Sequence, residues 1–133
     1  RRRVLARQSG IDFTSNDYLG LAESARLKAS VISALDRGVP VGAGGSRLLR
    51  GNHPEHEALE EEAAAFFHSE RMLYFGSGYA ANVAILSTLP QRNDLVVYDE
   101  LIHASAHAGI VAGRATAVAV PHNDLDAFEG VIR

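Results

Sequence analysis

Arg71-Met-Leu-Tyr-Phe-Gly-Ser-Gly-Tyr-Ala-Ala-Asn82 is the stretch on which the fold turns. Its apolar run, Arg71 to Phe75, predicts a buried strand. Gly76-Ser-Gly-Tyr79 predicts a sharp turn, and Ala80 to Leu89 a helix. Downstream the pattern repeats. Asp94-Leu-Val-Val-Tyr98 reads as a second strand, and Asp99 to Ser105 as a loop leading into a helix that ends at Gly113. Ala115-Thr-Ala-Val-Ala-Val120 reads as a third strand, followed by a last helix capped by Asn123 or Asp124. Strand–helix alternation of this kind predicts an α/β layered fold with largely parallel strands.

Upstream the pattern changes. Ile11-Asp-Phe-Thr14 alternates as a short strand does, and Ser15-Asn-Asp-Tyr-Leu-Gly20 carries turn residues. Ala25, Leu27, Val31, Ile32 and Leu35 recur at helical spacing and stop before Gly38 and Pro40. Gly42-Ala-Gly-Gly-Ser46 is too glycine-rich for a regular element. Pro54 then opens a helix reaching about His68, with Leu59, Ala63, Phe66 and Phe67 expected to face inward. We divide the chain into an N-terminal segment, 1–41, with a short strand and an amphipathic helix, and a second portion, 42–133.

Composition narrows the function. The 133 residues are 47% apolar and 22% charged, ordinary for a globular domain, and hold no run long enough to span a membrane. A net charge of −3 argues against a nucleic-acid partner. There is no cysteine, which excludes disulfides, Cys-ligated zinc and thiol nucleophiles. No signal-peptide pattern follows Arg1-Arg-Arg3, so the cytoplasm is the default compartment. Lys28 is the sole lysine among 13 basic residues, and chemistry needing an amine has one candidate. With no initial methionine and a last residue inside a helical pattern, the chain reads as a piece of a longer protein.

Several segments carry chemistry. The helix start after Ser77 exposes backbone amides that form an anion site, phosphate being the obvious ligand. An ordinary tight turn explains the same residues. Asp99-Glu-Leu-Ile-His-Ala-Ser105 falls beyond the carboxyl end of a strand, where open α/β sheets bind ligands. There His103 can stack on a flat ring, act as acid or base, or simply cap a helix. His107 follows four residues on, but no HExxH glutamate or third ligand accompanies the pair. His53-Pro-Glu-His-Glu57 looks metal-like, yet the helix start explains it as well. Gly42-Ala-Gly-Gly-Ser-Arg47 is either an anion-binding loop or a flexible connector. His68 and His122 have no partner visible in sequence.

Taken in order, Ser15-Asn-Asp-Tyr-Leu-Gly-Leu21, Gly42-Ala-Gly-Gly-Ser-Arg47, Gly51-Asn-His-Pro54, Ser77-Gly-Tyr-Ala-Ala-Asn82, Asp99 with His103-Ala-Ser105, and His122-Asn-Asp124 resemble the α-oxoamine synthase family. That resemblance implies part of the large domain of a fold-type I pyridoxal-phosphate transferase, with 42–133 as the first portion of its cofactor-binding domain. It implies pyridoxal 5'-phosphate as cofactor and a homodimer with active sites at the interface. The implied reaction is decarboxylative condensation of an amino acid with an acyl thioester. The Gly51-Asn52 form is most similar to the branch that joins L-alanine to a pimeloyl thioester in biotin biosynthesis; relatives using glycine or serine tend to have Gly-Thr there. Carried over residue by residue, Ser77, Gly78 and Tyr79 hold the cofactor phosphate. His103 stacks on the ring and helps to place the substrate, and Asn16 and Ser46 lie in the acyl-substrate pocket. One of Arg1 to Arg3 matches the family's N-terminal substrate-binding arginine. The family's Schiff-base lysine has no counterpart here, since Lys28 sits on an early amphipathic helix. The chain alone is expected to be inactive.

Overall fold

The computed structural model describes residues 9–133, which form two compact units, one ending at His53 and the other spanning Pro54–Arg133. In the first unit, local capping dominates. The Asp12 carboxylate accepts from both the amide and the hydroxyl of Thr14 at 2.7 Å, which lowers its pKa from the ordinary 3.8. This turn replaces the strand expected over Ile11–Thr14: a carboxylate that captures nearby donors competes with ladder formation. Asp17 accepts from the amides of Leu21 and Ala22 at 2.7 and 3.0 Å and caps a short 3-10 turn, Leu21–Glu23.

Helix α1, Ala25–Asp36, starts at Ser24, whose hydroxyl accepts the Leu27 amide. It ends where Gly38 takes φ 86° and the Gly38 and Val39 amides reach back to Leu35 and Ala34. A left-handed residue there closes the helix, and glycine takes that conformation without strain. In the following loop, the Ser46 carbonyl accepts from the Leu49 and Gly51 amides, both at 2.9 Å. Gly51 is buried so close to Gly45 that any Cβ would overlap the Gly45 carbonyl.

The second unit opens with α2, Pro54–Phe66, which carries Glu55 and Glu57 in its first turn. It stops at His68, with φ 53°, where the Ser69 amide bonds Ala64. Ala63 is half-buried, but Leu59, Phe66 and Phe67 are exposed, against the expectation that they face inward. Periodicity identifies an apolar stripe without supplying the surface that covers it.

Residues 71–75 form no strand, and Leu73 is 73% exposed. A strand exists only through its neighbour's hydrogen bonds. Here the Tyr74 amide donates instead to the Glu60 carboxylate at 2.8 Å. Among the described residues two strands form, where the sequence pattern from residue 71 onward predicts three. They follow α3, Gly78–Thr88: β1, Leu95–Asp99, then α4, Ala104–Ala112, then β2, Thr116–Val120, and finally α5, Leu125–Ile132. β1 and β2 are parallel, in register from Leu95 opposite Thr116 to Asp99 opposite Val120. Parallel neighbours need a crossover, and α4 provides it. The α/β architecture expected from the sequence is the one found.

The tightest packing lies between α3 and α4. Ser105, Gly109 and Gly113 recur every four residues; Ser105 is fully buried and Gly109 is buried. A Cβ on Gly109 would sit 2.9 Å from the Asn82 carbonyl oxygen and 3.0 Å from the Val83 Cα. Val120 is the buried hydrophobic side chain among the described residues. No helix among them is long and apolar enough to cross a membrane.

Candidate functional site

Two helix N-termini meet in the second unit. Ser77 caps α3: its Oγ accepts the Ala80 amide at 3.1 Å, and its carbonyl accepts the Ala81 amide at 3.1 Å. The helix therefore starts at Gly78, two residues earlier than the apolar pattern suggests. The amides of Gly78 and Tyr79 occupy the first-turn positions that have no intrahelical acceptor. With the positive end of the α3 dipole they form a cup for an anion.

His103 caps α4. Its Nδ1 accepts the Ser105 amide at 3.2 Å and lies 2.6 Å from the Ser105 hydroxyl. The ring itself is exposed. Capping and ring presentation, which the sequence leaves as alternatives, are thus compatible. Asn82, one turn into α3, donates from Nδ2 to Ser105 Oγ at 2.9 Å. That bond sets the first turns of the two helices side by side, so the amide cup and the His103 ring share one end of the α3–α4 pair. This is also the carboxyl end of β1, where open α/β sheets place their ligands.

A second cluster joins the strand ends. The Asp99 carboxylate accepts from the Asn123 amide at 2.9 Å, the Leu101 amide at 2.8 Å and His122 Nδ1 at 2.9 Å. These bonds, the Asn123 amide foremost, hold its pKa at about 2. The Glu100 carboxylate accepts the His122 amide at 3.2 Å. His122, without a visible partner in sequence, is thus tied to a residue 23 positions away. His107 packs edge-on against Tyr98, with ring centroids 6.2 Å apart. Among the described residues, no three His, Asp or Glu side chains converge as metal ligands.

Two further candidates belong to the first unit. Asn16 is exposed and its Oδ1 faces the Tyr18 hydroxyl at 3.4 Å. Ser46 is exposed in an open concavity lined by Gly44, Gly45, Leu48, Leu49 and Arg50. Arg47 donates from Nε to Asn52 Oδ1 at 2.8 Å, which ties this loop to the residue after Gly51. Arg1 to Arg3 lie outside the described residues. Lys28 is exposed on α1. Sequence reasoning missed Asn82 and Ser105 as functional groups. A lone amide in the apolar run of α3, and a hydroxyl beginning a four-residue small stripe in α4, were the available signals.

Comparison with known proteins places the chain in a family. The family described as Aminotransferase class I and II matches residues 8–133. An 8-amino-7-oxononanoate synthase of Emericella nidulans is 42% identical over 137 residues, covering 100% of this chain and 33% of its own length. The structure of the 8-amino-7-oxononanoate synthase of Francisella tularensis matches with a TM-score of 0.74 and 32% identity, over 91% of this chain and 33% of that one. A serine palmitoyltransferase of S. paucimobilis, solved with a pyridoxal phosphate–myriocin adduct, matches with a TM-score of 0.80 and 29% identity, over 87% of this chain and 30% of that one. The chain spans about a third of the length of these relatives. Its α/β arrangement is part of the fold of such pyridoxal-phosphate enzymes, and the chain belongs to the aminotransferase class I and II family.

Proposed function

We propose that this chain contributes the phosphate cup and ring platform of a pyridoxal 5'-phosphate-dependent acyltransferase. In this reading the enzyme condenses L-alanine with a pimeloyl thioester, with loss of carbon dioxide, to give 8-amino-7-oxononanoate. The observation that carries it is the pairing of free first-turn amides at Gly78 and Tyr79 with an exposed, braced His103 at the same end of two packed helices. That pair of features suits a ligand carrying a phosphate monoester and a flat ring.

The residues fit the cofactor. The amides of Gly78 and Tyr79 bind phosphate oxygens, helped by a helix dipole worth about 0.3–1 kcal/mol per charge. The Ser77 oxygen is engaged by the Ala80 amide, but its O–H remains available to donate to a phosphate oxygen. His103 stacks on the pyridine ring and helps to place the substrate. When bound, the cofactor supplies an electron sink for the carbon that loses its carboxylate. Asn16 and Ser46 line the pocket for the acyl substrate. Lys28 lies on α1, for which the family resemblance gives no cofactor role, so the amine that would hold the cofactor covalently is assigned to none of these residues. Exposed apolar side chains on α1 and α2 suit burial against further protein, in a cytoplasmic homodimer.

The serine palmitoyltransferase match supports a second reading, in which the amino acid is serine, or glycine as in 2-amino-3-ketobutyrate CoA ligase and 5-aminolevulinate synthase. Assaying the full-length enzyme with alanine, glycine and serine against pimeloyl and palmitoyl thioesters separates the two. Release of thiol with alanine and the pimeloyl thioester is expected. Turnover confined to serine and the palmitoyl thioester favours the second reading, and no thiol release with any pair refutes both. A non-catalytic module that merely keeps the cup is the remaining alternative. It predicts phosphate-sensitive pyridoxal phosphate binding by an intact protein without turnover.

A further inference from the structure

The Asn82–Ser105–His103 chain of hydrogen bonds has a direction. Asn82 Nδ2 can only donate, and it donates to Ser105 Oγ at 2.9 Å. The Ser105 proton is then free for His103 Nδ1, 2.6 Å away. Independently, the Ser105 backbone N–H points at the same nitrogen from 3.2 Å, and a backbone N–H has no acceptor role. Two donors converge on Nδ1, so that nitrogen carries a lone pair. Ser105 is fully buried, which shields the relay from water, while the ring beyond it is exposed.

We propose that Asn82 and Ser105 are positioning residues that hold His103 as the neutral imidazole with its proton on Nε2. His103 then offers a fixed ring face and a single outward N–H. It serves as a hydrogen-bond donor to a carboxylate or carbonyl oxygen of the substrate, not as a proton acceptor. A neutral ring also suits stacking on a pyridine ring that carries positive charge, where an imidazolium would be repelled. This deepens, and rests on, the reading of His103 as the cofactor's stacking partner. The relay itself lies wholly within this chain and needs no cofactor to be observed.

The test reads the ring nitrogens of His103 by 15N NMR in the full chain, at about pH 8.5, roughly two units above the ordinary imidazole value. The native chain should show Nδ1 unprotonated and Nε2 protonated, their shifts widely separated. Ser105→Thr keeps the hydroxyl and should keep that pattern. Ser105→Ala and Asn82→Asp should draw the two shifts together, as the ring begins to sample the other tautomer. A native ring protonated on Nδ1, or shifts that stay fully separated in both Ser105→Ala and Asn82→Asp, overturns the proposal. In the full-length enzyme, Ser105→Ala should lower kcat/KM and Ser105→Thr should restore it. Adding pyridoxal phosphate to the full-length enzyme tests the underlying reading separately. Ring shifts of His103 that do not move then remove the stacking role, while the cofactor-free tautomer decides the relay.

Discussion

Gly109→Ala probes the packing on which both the amide cup and the His103 relay depend. The added methyl would meet the Asn82 carbonyl oxygen at 2.9 Å, the Leu86 Cβ at 2.9 Å and the Val83 Cα at 3.0 Å. Carbon atoms pack best at about 3.5–4.0 Å, so the helices must part by roughly half an ångström or more. Two of the three obstructing atoms are backbone, and a rotamer change cannot relieve them. Overpacking of this kind costs typically about 1–3 kcal/mol, and backbone obstruction argues for the upper end. Against it stands the helix preference of alanine over glycine, about 0.8–1.0 kcal/mol. The net expectation is a loss of about 2 kcal/mol, near a thirty-fold fall in the folding equilibrium. Equilibrium urea unfolding of the full chain measures this, with Gly130→Ala as the control. Gly130 lies in α5 with nothing within 4 Å of its added Cβ, so alanine there should be neutral or stabilise by up to about 1 kcal/mol. Should Gly109→Ala stabilise as much as Gly130→Ala, the close α3–α4 contact is refuted.

Three further expectations follow from the caps and loops. Ser77→Ala removes the oxygen that accepts the Ala80 amide and should destabilise by about 1 kcal/mol, read as faster amide exchange in the first turns of α3. Gly51→Ala forces a methyl into the Gly45 carbonyl, so the loop must rearrange; loss of protection at the Gly51 and Leu49 amides reports it. Asp99 has its folded pKa lowered to about 2, so its contribution to stability is complete above about pH 4 and disappears as pH falls through 2. Asp99→Asn should flatten acid unfolding across that window, and a native carboxyl titrating near 3.8 by NMR would contradict the Asp99–Asn123–His122 clasp.

The reach of the sequence depended on whether a feature is closed within a few residues. The end of α1 was readable because Gly38 completes a cap whose donors and acceptors lie within six positions. The cap of α5 was readable to within one residue, Asn123 or Asp124, for the same reason, and Asp124 fills it. β1 and β2 were readable because each supplies the other's partner across one short crossover. The run 71–75 has the apolar character of a strand but no pairing edge in this unit, and its Tyr74 amide turned to Glu60 instead. Likewise the stripe of Leu59, Phe66 and Phe67 marked a face, whereas burial requires a second surface that periodicity never names.

The same distinction separates the candidate residues from the groups that support them. Ser77, Gly78, Tyr79 and His103 stand at helix starts, where unpaired donors and acceptors advertise themselves in short motifs. Asn82 and Ser105 act on each other across 23 residues, and only the crossing of α3 and α4 reveals the bond. Gly109 makes that crossing close enough for it to form. The glycine therefore does for the histidine what no motif records. It lets a buried serine stand between an amide on one helix and an imidazole on the next, and so sets which nitrogen of His103 faces outward.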